Sequence, residues 1–218
     1  MKISVIFSIL LHPVFMPTIV LFVLLNEVEF FNILFSSVKN LLYSIIIIFT
    51  FLLPLIISFL LLKLKRIKSL EMETKEERNS PLFYTILIMI LGFSFFKTTA
   101  YLSPHLCSIY LSLVIVLTLA FLITKKWKIS LHMLGIGGAT GSFIAMNIVF
   151  GSLYYWIIIF FFLSGLLAFS RINLQAHNKI QVYTGFFLGC FVQTTLVLYF
   201  NSSISTISIF LSNIAFLL

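Results

Sequence analysis

The sequence contains no aspartate, and only 9% of its 218 residues are charged. A soluble domain of this length carries about a quarter charged residues, so a soluble enzyme and a disordered segment are both excluded. Both cysteines, Cys107 and Cys190, lie in apolar runs without the spacing of metal ligands. They predict buried free thiols rather than a disulfide scaffold, and nothing in the sequence predicts a metal ion or another cofactor.

The few carboxylates are concentrated in one place. Four of the six glutamates fall within seven consecutive residues, namely Glu71, Glu73, Glu76 and Glu77. Outside this stretch, acid–base chemistry therefore depends on other side chains, and histidine is the side chain whose ordinary pKa lies closest to neutrality.

Apolar runs make up most of the chain, which is 61% hydrophobic with a mean hydropathy of +1.18. These runs are continuous over about 20 residues, which predicts membrane-spanning helices rather than the ten-residue alternation of a transmembrane β-barrel. The expected fold is an all-α polytopic transmembrane helical bundle of seven or eight spans, forming a single domain over residues 1–218. The candidate spans are 3–25, 41–62, 82–102, 105–124, 131–150, 153–169, 180–200 and a shorter 203–218.

The basic residues fall mainly on one side of the expected bundle. Alternating spans put twelve of the fourteen on one face, whereas Lys39 lies on the other and Lys97 lies inside a span. By the positive-inside rule this face is cytoplasmic, as in a multi-pass protein of the plasma (inner) membrane. The net charge of +8 therefore orients the chain in a bilayer and does not indicate nucleic-acid binding. Residues 63–80 are expected to form a charged connector on that face.

Glycines recur at small-xxx-small spacing in two spans. Gly137 and Gly141 lie one helical turn apart, as do Gly185 and Gly189. This spacing predicts close helix packing in lipid rather than a dinucleotide-binding loop, which needs a preceding strand.

The polar side chains that the topology brings to the basic face suggest an anion site. Ser130 and His132 follow Lys128 at the start of the fifth span, and Arg171 and His177 lie between the sixth and seventh spans. Arginine binds phosphate through two donors, and two imidazoles supply a nucleophile and a proton donor. His177 and Gln181 are four residues apart, so the glutamine amide is expected to hold the imidazole ring if a helix begins here.

Two spacings in this region resemble signature motifs of the type 2 phosphatidic acid phosphatase superfamily, which are integral membrane lipid phosphatases. They are Ser130-x-His132 and Ser170-Arg171-x5-His177. The resemblance covers residues 130–190 and implies a six-helix core and a lipid phosphomonoester or diphosphate as substrate. It also implies that His177 forms a phosphohistidine and that His132 protonates the leaving group, while Arg171 and Ser130 hold the phosphoryl oxygens.

The chain departs from the family pattern in several places. Ile129 replaces a proline, Leu131 a glycine and Gln181 an aspartate. The first family motif, Lys-x6-Arg-Pro, is absent as written. Its nearest approximation is Lys75 with Arg78 and Pro81, and the alternative source of positive charge is Lys125, Lys126 and Lys128.

These departures leave two functions open. One is a slow phosphatase, and the other is a catalytically degenerate relative that acts as a membrane subunit or scaffold. A transporter or channel is less favoured, because no span carries a buried carboxylate. The identity of the lipid and the oligomeric state stay open.

Two further histidines are expected to be ordinary. His12 precedes Pro13 in the first span, which this pair and Pro17 are expected to kink, and His105 is expected near the uncharged face beside Pro104. Both are interpreted as histidines satisfied by local contacts.

Overall fold

The structure is a computed structural model that describes residues 2–72, 74–101 and 103–217, with side chains described as far as Ser202. The chain is 83% helical, and the described residues form no strand. Within the same residues, seven helices are long and apolar enough to cross a membrane, which confirms the all-helical, multi-pass expectation. The expected eighth span, 203–218, and Glu73 of the glutamate cluster lie outside the residues whose side chains are described.

The first two spans are each interrupted near their middle. The first consists of α1 (Lys2–Leu10), a 3₁₀ turn (Pro13–Phe15) and α2 (Met16–Glu27), and a short helix α3 (Glu29–Leu34) follows it. The second consists of α4 (Lys39–Ile47), a π-helical turn (Ile48–Leu52) and α5 (Leu53–Lys63). The remaining spans are α6 (Lys75–Thr99), α7 (Pro104–Thr124), α8 (Leu131–Phe150), α9 (Tyr154–Asn173) and α10 (Lys179–Leu217).

The expected kink lies at His12 and Pro13. Proline has no backbone N–H to donate, so α1 ends at Leu10 and the chain restarts as a 3₁₀ turn. His12 is extended there, with φ −65° and ψ 138°, and its Nδ1 accepts the Val14 N–H at 3.4 Å. Pro17 lies in the first turn of α2, where a missing N–H costs nothing.

Helices α8 and α10 pack backbone to backbone through the predicted glycines. A β-carbon on Gly137 would collide with the carbonyl oxygen of Phe186, and one on Gly189 with that of Leu134. At Gly185 it would lie 2.7 Å from the carbonyl oxygen of Ser130. The small-xxx-small prediction is therefore confirmed, and this packing holds the start of α10 against the start of α8.

The charged connector is shorter than expected. Helix α6 begins at Lys75, after Thr74 accepts the Glu77 N–H, so the connector is 64–74 and not 63–80. The last six residues of the expected connector form the first turns of a span. Arg78 is thereby carried into the bundle, where it is only 5% exposed.

Hydrogen bonds join the segments that were expected to share one face. Lys128 Nζ donates to the carbonyl oxygen of Ala176 at 3.3 Å, and Lys75 Nζ to that of Lys126 at 3.5 Å. Asn173 Nδ2 donates to Ser4 Oγ at 2.9 Å. The start of the first span, the start of α6 and the connections before α8 and α10 therefore lie together, as predicted. Both cysteines are free and half-buried.

Candidate functional site

A cavity of about 730 Å³ lies inside the bundle and reaches the end where these segments meet. Its lining there includes the basic side chains His132, His177, Arg171 and Arg78, together with His12. Four of the seven residues that the sequence predicts as a site are therefore brought to one cavity from three separate parts of the chain.

His177 lies in the short connection between α9 and α10 and is 6% exposed. Its Nδ1 is 2.9 Å from Gln181 Oε1, and the Asn178 N–H donates to the same oxygen at 3.4 Å. A backbone N–H only donates, so this atom of Gln181 must be the acceptor oxygen. The proton of the neutral His177 ring therefore lies on Nδ1, which leaves the lone pair on Nε2.

Gln181 has a structural reason to occupy its position. Asn178 Oδ1 accepts the Gln181 N–H at 2.9 Å, while Gln181 Oε1 accepts the Asn178 N–H. This reciprocal pair is a capping box at the start of α10. One glutamine oxygen thus caps the helix and orients the His177 ring, as the four-residue spacing predicts.

Burial lowers the pKa of His177 from its ordinary value of 6.5 to about 4. The bond to Gln181 opposes this shift, but the positive charges of Arg78, Lys128 and Arg171 reinforce it. At neutral pH His177 is therefore an uncharged imidazole, which is the form that acts as a nucleophile.

His132 begins α8 with its ring turned toward the first span. Its Nε2 is 3.1 Å from the carbonyl oxygen of Ser8, and a carbonyl oxygen only accepts, so Nε2 carries a proton. The remaining ring nitrogen, Nδ1, is left to exchange a proton with a ligand. His12 packs edge-on against this ring with 4.8 Å between the ring centroids.

The two arginines are held differently. Arg78 is fixed by its own hydrogen bonds, from Nη1 to the carbonyl oxygen of Ile129 at 2.8 Å and from Nε to that of Met72 at 3.0 Å. Arg171 Nε is buried and has no hydrogen-bond partner among the described residues. Arg171 is therefore the guanidinium with donor capacity left for a bound anion.

Three predicted site residues do not line the cavity. Among the described residues, Ser130, Lys128 and Gln181 are not part of the lining. Ser130 Oγ is buried without a partner, and Lys128 donates to the α9–α10 connection. Lys128 therefore contributes positive charge beside His177, and the phosphate contacts expected of Lys128 and Ser130 stay predictions.

Beyond its cationic end the cavity is lined mainly by hydrocarbon. Val20, Leu24 and Met89 are among the lining residues of the interior. Val5 and Ile9, which also line it, are 43% and 61% exposed on the outer surface of the bundle. The cavity thus has the shape and polarity of a site for an amphipathic anion that enters from the side of the bundle.

The sequence predicts an ordinary histidine at position 12, and the structure instead places His12 in the site beside His132. The break at Pro13 was the available signal, because it interrupts the helix at the level of the other histidines. His105 does not line the cavity and packs against Phe31 and Phe150, but its Nδ1 is buried without a hydrogen-bond partner among the described residues. Within the described residues, the histidines do not form a group that could hold a metal ion.

No family model, curated protein or solved structure matches this chain. The geometry of the cavity is therefore the basis for the functional assignment.

Proposed function

We propose that this protein is a membrane lipid phosphatase that hydrolyses a phosphomonoester or diphosphate of a lipid through a phosphohistidine on His177. One observation carries the proposal. The Nε2 lone pair of His177 and the Nε of Arg171, which has no partner among the described residues, belong to the basic end of a cavity whose remaining lining is mainly apolar, although Glu71 also lines it. A lipid with a terminal phosphate has the matching distribution of charge and apolar surface.

The proposed binding mode divides the substrate between the two parts of the cavity. The phosphate lies against Arg171, with Arg78 and Lys128 supplying further positive charge, and the acyl or prenyl chain fills the apolar interior. A volume of about 730 Å³ holds a ligand of lipid size only in part. The rest of the chain therefore extends past Val5 and Ile9 into the bilayer.

The reaction proceeds in two balanced steps. When the anion binds, His132 Nδ1 takes up a proton. His177 Nε2 then attacks phosphorus, the bond from phosphorus to the lipid oxygen breaks, and His132 Nδ1 gives its proton to that oxygen. A water molecule then attacks the phosphohistidine while His132 Nδ1 accepts its proton, and His177 leaves as a neutral ring. The products are the dephosphorylated lipid and inorganic phosphate. The Nδ1–H of His177 stays hydrogen-bonded to Gln181 Oε1 throughout.

One feature favours a second candidate, a degenerate relative that serves as a non-enzymatic membrane subunit or scaffold. Gln181 is neutral, so it orients the His177 ring without stabilising positive charge on it. Phosphate release separates the two candidates. Purified protein in detergent is given a panel of a diacylglycerol phosphate, a polyprenyl diphosphate and a soluble aryl phosphate. The phosphatase releases inorganic phosphate from a lipid, and the scaffold releases none above a protein-free control.

Replacing Gln181 by glutamate tests the role of this neutral amide. The carboxylate keeps the length and both hydrogen bonds of the glutamine, but adds a negative charge next to Nδ1 of His177. We expect turnover to rise about 10- to 100-fold, because losing the charge of an orienting carboxylate is costly in other histidine enzymes. The pKa of His177 rises from about 4 with it, so the acidic limb of the pH–rate profile moves to higher pH.

Gln181→Leu is the matched control, because it removes both the hydrogen bond and the possibility of charge. A glutamate variant that is no faster than the native protein, with an unmoved acidic limb, contradicts the expected effect of negative charge at this position. A leucine variant with native turnover contradicts its orienting role.

We further propose that the site lies at the cytoplasmic face of the plasma membrane, since the basic loops gather around it. Single cysteines at two exposed positions test the orientation, Lys126→Cys beside the site and Asn32→Cys at the opposite end. A membrane-impermeant maleimide added to intact cells is expected to label position 32 and not position 126, relative to the native protein. The reverse pattern places the site outside.

A further inference from the structure

His12 is the one histidine of the cavity that the proposed reaction leaves without a role. Its Nδ1 accepts the Val14 N–H, so the proton of the neutral ring lies on Nε2. No described residue accepts a hydrogen bond from that nitrogen. His12 therefore presents an unused N–H donor in the lining of the cavity.

The position of His12 is fixed by its surroundings. The next residue, Pro13, packs directly on α8, where a β-carbon on Gly135 would lie 2.8 Å from Pro13 Cβ and 3.0 Å from its Cα. Gly135 follows His132 by three residues, so it lies on nearly the same face of α8. The ring of His12 then rests 4.8 Å from that of His132, whose Nε2 is bonded to Ser8 one turn earlier in α1. Three contacts thus tie the broken first span to the start of α8.

The two rings offer complementary atoms to a ligand. His132 has a free Nδ1 that exchanges a proton, and His12 has a free Nε2–H that only donates in the neutral ring. Arg171 is the nearby charged group for both. An anion bound between them gains donors from His12 and Arg171 and can share a proton with Nδ1 of His132, so side chains from three different spans contact it.

We propose that His12 is a third histidine of the anion site and donates its Nε2–H to an oxygen of the bound phosphoryl group. This inference rests on the proposed function, because it takes the same cavity to be the phosphate site. It adds a binding residue from the first span. This residue lies outside both motifs of the sequence analysis, Ser130-x-His132 and Ser170-Arg171-x5-His177.

Orthovanadate binding to the purified full-length protein tests the inference without requiring turnover. We expect His12→Leu, which removes the donor, to raise the Kd for orthovanadate about tenfold or more. His12→Gln places an amide N–H near the position of Nε2 and is expected to bind within about threefold of the native protein. His105→Leu is the matched control, because His105 does not line the cavity, and it is expected to leave orthovanadate binding unchanged.

A second pair of variants keeps the His12 side chain and tests whether its position matters. One variant displaces it, and the other is the control. Gly135→Ala forces Pro13 away from α8, whereas Gly165→Ala in α9 meets no atom within 4 Å and lies outside the cavity lining. The two changes alter helix propensity equally. We expect the first to weaken orthovanadate binding several-fold, with its thermal midpoint reported alongside, and the second to leave binding unchanged.

The outcomes separate this inference from the proposed reaction. If His12→Leu and Gly135→Ala bind orthovanadate as tightly as the native protein while Arg171→Leu does not, His12 is not part of the site. If native protein binds orthovanadate and the His12 series behaves as expected, but no lipid loses phosphate, the binding role stands and the phosphatase proposal fails. If native protein binds no orthovanadate, both are overturned.

Discussion

Replacing His177 by alanine is expected to lower phosphate release from a lipid phosphate by at least about 10³-fold, because it removes the attacking Nε2 lone pair. Binding is expected to survive, since Arg171 and Arg78 keep the positive charge of the cavity. Turnover of inorganic phosphate and retention of the lipid by the same detergent-purified protein measure the two effects separately.

His105→Ala is the control for this substitution, because it removes a histidine whose ring packs against Phe31 and Phe150 outside the cavity. It is expected to retain native turnover. A His177→Ala protein that keeps its thermal midpoint and hydrolyses the substrate at the native rate rejects His177 as the nucleophile.

Replacing Arg171 by leucine is the second large effect. Its buried Nε has no partner among the described residues, so the guanidinium is available to the phosphoryl oxygens, on which charge accumulates during the reaction. Loss of one such donor costs about 10²- to 10³-fold in turnover. We expect Arg171→Leu to show this loss together with weakened orthovanadate binding, and Arg171→Lys to recover part of it, because lysine keeps the charge without the bidentate geometry.

Arg78→Leu distinguishes a ligand-binding arginine from a structural one. Arg78 already donates to the carbonyl oxygens of Ile129 and Met72, and removing it leaves both acceptors unpaired in a buried place. We expect this variant to lower the thermal midpoint, which Arg171→Leu does not. Equal turnover for the native protein and Arg171→Leu would contradict the proposed role of the Arg171 guanidinium in binding the phosphoryl group.

The membrane fold follows from the sequence because its signals are local. A run of about 20 apolar residues predicts a span wherever it occurs, and the glycine pairs in the fifth and seventh spans predict close packing without knowledge of the partner. The convergence of His132 with Arg171 and His177 also follows, since alternating spans return these segments to one end of the bundle.

The parts that sequence reasoning missed depend on contacts between distant segments. Pro13 breaks the first span, as the sequence predicts, but His12 enters the cavity because Pro13 also packs on Gly135, and no local pattern indicates that contact. The side-chain directions of Ser130 and Lys128 are likewise set by neighbouring segments and not by spacing.

Two features that were not predicted did carry a local signal, namely the start of α6 and the helix-capping role of Gln181. Thr74 and Glu77 have the spacing of a capping box, which marks the start of α6 at Lys75 inside the expected connector. Asn178 and Gln181 have the same spacing, so Gln181 is also a helix cap. The glutamine at position 181 therefore has a structural role that does not depend on catalysis.

Trapping of the covalent intermediate is the most direct test of the phosphatase proposal. The native protein is mixed with a lipid phosphate radiolabelled in its terminal phosphoryl group, quenched in alkali within seconds, and digested for mapping. We expect an alkali-stable, acid-labile phosphohistidine on the peptide that contains His177, and none in His177→Ala. Lipid hydrolysis without any labelled histidine, or label that persists in His177→Ala, contradicts a phosphohistidine at this position.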